Sequence, residues 1–198
     1  MLESLNEKLF LVINAGANEP TWILNCAIGA AEILIYVVPL FFLVMWLWSN
    51  SIQREVLIRA SVVAFLGVGI NQIIGVVWMH PRPSMIGLGH TLVQHAADSS
   101  SPSDHVTVLS AVTITLLLAR AVVPGLLFLL AGIGVAWARI FLGVHFPFDM
   151  IGAVIVAIGS YIVVIPAWGL FGRKITSIIE ALYRKVMAGP INRGLVEW

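Results

Sequence analysis

Five apolar stretches separated by short polar breaks constrain this chain more than any other feature. They run about Thr21–Trp48, Val56–Met79, His105–Ala119, Pro124–Gly143 and Met150–Leu170. Each is long enough, or nearly so, to cross a bilayer core of roughly 30 Å. In lipid every backbone polar group must be satisfied within its own segment, so these stretches predict an all-α polytopic helical bundle. The first holds Glu32 and Pro39 and is expected to tilt or kink. The third is short, reaching only roughly 25 Å with its flanks. A motif at its start would therefore sit at or slightly below the membrane surface. Composition agrees: 60% of residues are hydrophobic, 11% are charged and the net charge is +1. That balance excludes a nucleic-acid binder, which needs a basic surface. The length of 198 residues fits one membrane-embedded domain over 1–198.

The flanks carry less hydrophobic signal but more information on orientation. Leu2, Leu5, Leu9 and Val12 recur at helical spacing, so residues 1–18 are expected to hold a helix lying on the membrane surface. Glu3 and Glu7 stand where a signal peptide would be basic. Residues 171–198 read as a basic cytoplasmic tail with a second interfacial stripe at Ile175, Ile178, Ile179 and Leu182. With five spans, Arg54, Arg59, Arg120, Arg173, Lys174, Arg184, Lys185 and Arg193 all fall on one side, which the positive-inside rule makes cytoplasmic. Cys26 has no partner for an internal disulfide and reads as a small buried apolar residue.

On the opposite side three short motifs gather polar groups that are costly at the mouths of membrane helices. They are His80-Pro81-Arg82-Pro83, then Ser101-Pro102-Ser103-Asp104-His105, then Arg139 with Gly143, His145 and Asp149. Two guanidinium forks suit a phosphate, whose oxygens accept paired hydrogen bonds. Snorkelling would explain either arginine alone, but not both beside paired histidines. Ser103 is placed to cap the third span, whose free N–H groups would face an anion. Capping is the leading reading for Asp104, and loop carbonyls could satisfy a neutral His105. His145 and Asp149 are four apart, so the carboxylate can fix the imidazole tautomer and leave the other nitrogen to attack. On this pattern His145 is the better nucleophile and His105 the better proton donor. No metal ligand set is read: zincin and cysteine spacings are missing, and two arginines would repel a cation.

Together these residues resemble the type 2 phosphatidic acid phosphatase superfamily of integral-membrane lipid phosphatases, which share a helical core with vanadium haloperoxidases. The matching pieces are Arg82-Pro83, Pro102-Ser103-Asp104-His105, and Arg139, His145 and Asp149. The segment His95-Ala96-Ala97-Asp98 is similar to the undecaprenyl-diphosphatase branch linked to bacitracin resistance. The resemblance implies that His145 attacks the terminal phosphorus and Asp149 orients it. It implies that His105 protonates the leaving lipid phosphate, that Arg82, Ser103 and Arg139 hold the phosphate oxygens, and that no cofactor is needed. It further implies a bacterial inner-membrane enzyme recycling the cell-wall carrier lipid at the periplasmic face, with no nucleic-acid or obligate protein partner. Other lipid phosphates (phosphatidylglycerol phosphate, phosphatidic acid), transfer to lipid A, or lipid flipping without chemistry remain as alternatives. Two positions depart from the family: Gly75 stands in place of its lysine, and Ala138 in place of the serine before Arg139. His80, His95 and Asp98 are candidates to make up the missing contact, and Asp104 is a further candidate for touching substrate.

Overall fold

Asn50 accepts a hydrogen bond from the Gln53 N–H at 3.0 Å, and the Gln53 side chain accepts from the Asn50 N–H at 3.2 Å. This capping box starts a helix ahead of the apolar run that follows. The structure, a computed structural model, describes residues 1–93, 96 and 98–193, and its elements are helical throughout those residues. In chain order they are α1 (Leu2–Ile13), α2 (Thr21–Ile28), α3 (Val37–Trp48), α4 (Ser51–Val77), α5 (Asp104–Leu118), α6 (Val122–Phe141), α7 (Pro147–Val186) and α8 (Ala188–Asn192). A π turn over Gly29–Ile33 and a 3-10 turn over Leu34–Tyr36 join α2 to α3, so Thr21–Trp48 forms one broken span. Four segments are long and apolar enough to cross a membrane: Thr21–Trp48, α4, α6 and α7. Apolar α5 has 15 residues and rises only about 22 Å, as its sequence predicts.

Short α5 is the axis of the bundle, packed against α4, α6 and α7. Leu109, Val112, Val135, Phe146 and Ala153 are wholly buried in the core around it. Backbones approach closely here: a Cβ on Gly67 of α4 would lie 2.8 Å from Thr107 Cγ2 of α5. Close approach at small residues is how membrane helices gain packing energy, since lipid tails offer no hydrophobic contrast. Phe65, Ile133, Ile155 and Val163 point outward instead and stay exposed, an apolar exterior suited to lipid, and Cys26 of α2 is likewise exposed rather than buried.

One boundary departs from expectation. The basic tail is not a separate surface segment at its start, because α7 continues unbroken to Val186, 40 residues and about 60 Å in all. Ile175, Ile178 and Leu182 remain exposed, but Ile179 packs on the core and Thr176 and Glu180 are buried. Glu180 accepts a hydrogen bond from Ser51 Oγ at 2.5 Å and lies 3.8 Å from Arg54, so the end of α7 is tied to the start of α4.

Candidate active site

The ends of α4 and α6 and the starts of α5 and α7 meet at one end of the bundle, around a cavity of about 330 Å³. Arg82, Asp98, Asp104, His105, Arg139 and His145 all contribute to its wall, with Asn71, Gln72 and Gly75 from α4. The three motifs that the sequence sets apart are thus brought together.

His145 stands between α6 and α7, buried. A tight turn puts it there: Gly143 has φ +79°, and a Cβ on it would strike the His90 carbonyl at 2.3 Å. Its Nδ1 lies 2.7 Å from the Ser100 carbonyl oxygen, which can only accept. Nδ1 therefore carries the proton, and Nε2 presents a lone pair toward Arg82 Nη1 at 3.3 Å. Asp149 Oδ2 is farther from Nδ1, at 3.4 Å. That same oxygen accepts from the Phe146 N–H at 2.8 Å and from the Ser100 hydroxyl. The expected His–Asp pair is present, but a backbone carbonyl is the nearer acceptor and a serine links the two. Burial pushes the His145 imidazole below its ordinary 6.5 and outweighs the Asp149 contact that raises it, so the ring is neutral at neutral pH.

The arginines sit on the histidines. Arg82 Nε and Nη2 each lie 2.8 Å from Asp98 Oδ1. Its Nη2 also reaches the Ser99 carbonyl at 3.2 Å, and Nη1 reaches the Val144 carbonyl at 3.0 Å. With His145 these contacts match the five guanidinium N–H groups. Among the described residues Arg139 donates through Nη2, to His105 Nε2 at 2.8 Å and to the Ala31 carbonyl at 3.2 Å. Its Nε is buried without a partner among the described residues. The Ala31 carbonyl comes from the π turn, a distortion that recurs at functional sites. Glu32, next along, is exposed at the level of this site, which explains a carboxylate in an otherwise apolar span.

The other candidates divide. Asp104 opens α5, yet its carboxylate also accepts from Asn71 at 2.8 Å and Gln72 at 3.0 Å, so it ties α5 to α4 beyond any capping role. Ser103 holds the N-cap position without the expected capping bond; its hydroxyl is buried with no partner among the described residues. His80 does not reach the cavity: its Nε2 lies 3.4 Å from Glu3 and its ring stands edge-on to Phe146, at 5.5 Å between centroids. Its ring also packs on Trp78, at 5.6 Å between centroids, away from the cavity lining. His95 falls outside the described residues. Ser100, wholly buried, went unrecognised in the sequence because it sits in a run of three serines, Ser99–Ser101, with nothing to single it out.

Residues 56–172 match the model of the PAP2 superfamily. The chain belongs to that superfamily. It is accordingly a membrane lipid phosphatase, a hydrolase, and most of the cavity wall comes from the matched stretch. Over 196 residues, 99% of both chains, it is 34% identical to YbjG of Escherichia coli (strain K12), a protein named provisionally as an undecaprenyl-diphosphatase. Undecaprenyl-diphosphatase BcrC of Bacillus subtilis (strain 168) is 31% identical over 154 residues, 78% of this chain and 79% of that one. The crystal structure of Aquifex aeolicus LpxE superposes with a TM-score of 0.63 at 19% identity, covering 80% of this chain and 93% of that one, which establishes the shared fold.

Proposed function

We propose that this PAP2 protein hydrolyses undecaprenyl diphosphate to the monophosphate and inorganic phosphate, through a phosphohistidine at His145. The observation that carries the reading is the buried, neutral His145 with its Nε2 lone pair turned toward Arg82 in a cavity that also holds Arg139 and His105. The names of YbjG and BcrC support the substrate.

In this scheme the terminal phosphate enters the cavity and its oxygens take the spare Arg139 donors and the Arg82 Nη1 proton now resting on His145. That exchange uncovers Nε2, which attacks phosphorus in line as the bond to the bridging oxygen breaks. Drawing Arg139 onto phosphate also releases His105 Nε2, which can then carry the proton that the departing lipid monophosphate takes. Water attacks the phosphohistidine next, giving its proton to His105, and inorganic phosphate leaves. The arginines neutralise charge that builds in the transition state, while the buried Ser103 hydroxyl stands behind the cavity wall at the start of α5.

The placement of basic residues supports a site facing the periplasm, since the other end holds Arg59 early in α4 and Arg120 in the turn between α5 and α6, beyond the paired Arg54. Recycling of the cell-wall carrier lipid, and the bacitracin resistance tied to that branch, would follow. The test is phosphate release from undecaprenyl diphosphate by purified protein in detergent with excess chelator, beside His145→Ala. Release that persists in chelator and vanishes in the variant is expected. Inert wild-type protein, with short-chain diphosphates and phosphatidic acid also untouched, would favour transfer to another lipid or lipid flipping.

A further inference from the structure

Helix α1 has two faces. Leu2, Leu5, Leu9 and Val12 are exposed, as a helix lying on lipid requires. Glu3, Asn6 and Phe10, spaced by three and four, turn the other way and end on residues adjoining His145 and Asp149. Asn6 is 2% exposed, and its Oδ1 accepts from the Phe148 N–H at 3.0 Å. Phe148 lies in the first turn of α7, where backbone N–H groups lack intrahelical partners, and Asp149 follows it directly. Phe10 is wholly buried, edge-on to Phe146 at 5.2 Å. Glu3 meets His80, whose carbonyl accepts the Ser100 N–H at 2.8 Å. None of α1 lies in the stretch that matches the family, so the shared chemistry does not by itself account for these contacts.

We infer that α1 is a positioning element of the phosphatase site, with Asn6 its principal contact. Asn6 caps the first turn of α7 and so fixes where Asp149 stands, and through Asp149 and Ser100 the angle of the His145 ring. It touches no reacting atom. The inference rests on His145 being the nucleophile. A cavity of about 350 Å³ lies beside Asn6, lined also by His80, Phe148 and Asp149. Water there could replace a missing side-chain oxygen, so the informative substitution fills the space while removing the acceptor.

Asn6→Leu does this, and Asn6→Asp restores an acceptor. Both are to be compared with wild type for kcat and KM on undecaprenyl diphosphate in detergent, with thermal unfolding measured alongside. Losing one hydrogen bond that places a reacting group is expected to lower kcat about tenfold in Asn6→Leu with KM within about twofold, and Asn6→Asp should recover most of the rate. Where Asn6→Leu does not fold, Asn6→Met, which also fills the space without an oxygen acceptor, stands in under the same criteria. An unchanged kcat in the leucine variant, an aspartate variant as slow as the leucine one, or a loss that only tracks the unfolded fraction would each overturn the positioning role. Inert wild-type protein would bring down the phosphatase reading with it, whereas active wild type beside an unaffected leucine variant overturns this inference alone.

Discussion

In the proposed scheme His145 concentrates the chemistry in one side chain, and its protonation state is the first thing to test. Burial holds its pKa below the ordinary 6.5, so the nucleophilic neutral form is lost only as pH falls through that lowered value. The acid limb of kcat/KM should therefore lie below pH 6.5, and a limb at or above it would contradict this account. Asp149→Asn removes a group that raises the pKa, so the limb should move lower still while the rate falls. Ser100→Ala takes the hydroxyl from a buried carboxylate, a hydrogen bond to charge worth about 1.5–3 kcal/mol. Steady-state kinetics should show a loss of about ten- to hundredfold in kcat. The titratable members of the site were legible from residue type and spacing. Ser100 was not, because its part is played largely by a backbone carbonyl, which no side-chain pattern records. The parking of each arginine on a histidine was equally hidden, since it depends on how α4, α5 and α6 meet.

Among the helices, the α4–α5–α7 contact carries the site, and its tightness is measurable. Alanine at Gly67 would set a Cβ 2.8 Å from the Thr107 methyl in a wholly buried position, with Ser160 Oγ at 3.4 Å. Overpacking of this kind costs about 1–3 kcal/mol, so Gly67→Ala should lower the thermal midpoint in detergent, and an unchanged midpoint would mean the interface is looser than described. Hydropathy placed the spans to within about five residues, except for the far end of α7, because an apolar run bounded by charge has few other ways to fold in a membrane. It missed the π turn at Gly29–Ile33, whose sequence, Gly-Ala-Ala-Glu-Ile, is ordinary for a helix. The Arg139 side chain taking the Ala31 carbonyl gives that turn its purpose, and this contact links residues 108 apart in sequence.

At the scale of the molecule, the two ends do different work. One gathers the phosphate chemistry, while the other is fastened by a buried cluster of Arg54, Glu180, Trp46 and Tyr183. Arg54 is 1% exposed, with its guanidinium 5.5 Å from the Trp46 ring and 5.0 Å from that of Tyr183. Breaking a buried ion pair leaves a charge uncompensated, at a cost of about 3–5 kcal/mol. Glu180→Ala should thus lower stability sharply while the folded fraction keeps wild-type kcat, which unfolding and activity measurements on one preparation would separate. Glu180 reads as one more tail residue because its partner is far away in sequence, and for the same reason α7 appeared to end near Leu170. Arg54, counted with the orienting charges, is committed to this cluster, so the proposed orientation leans on the other basic residues at that end.

The central claim, a covalent phosphate on His145, is tested most directly by trapping it. Undecaprenyl diphosphate labelled in its terminal phosphorus would be mixed with enzyme, quenched in alkali within a turnover, and the protein digested and mapped. This account predicts an acid-labile, alkali-stable label on the peptide carrying His145, missing in His145→Ala. Turnover without protein-bound label at any quench time, or label persisting in His145→Ala, would contradict it.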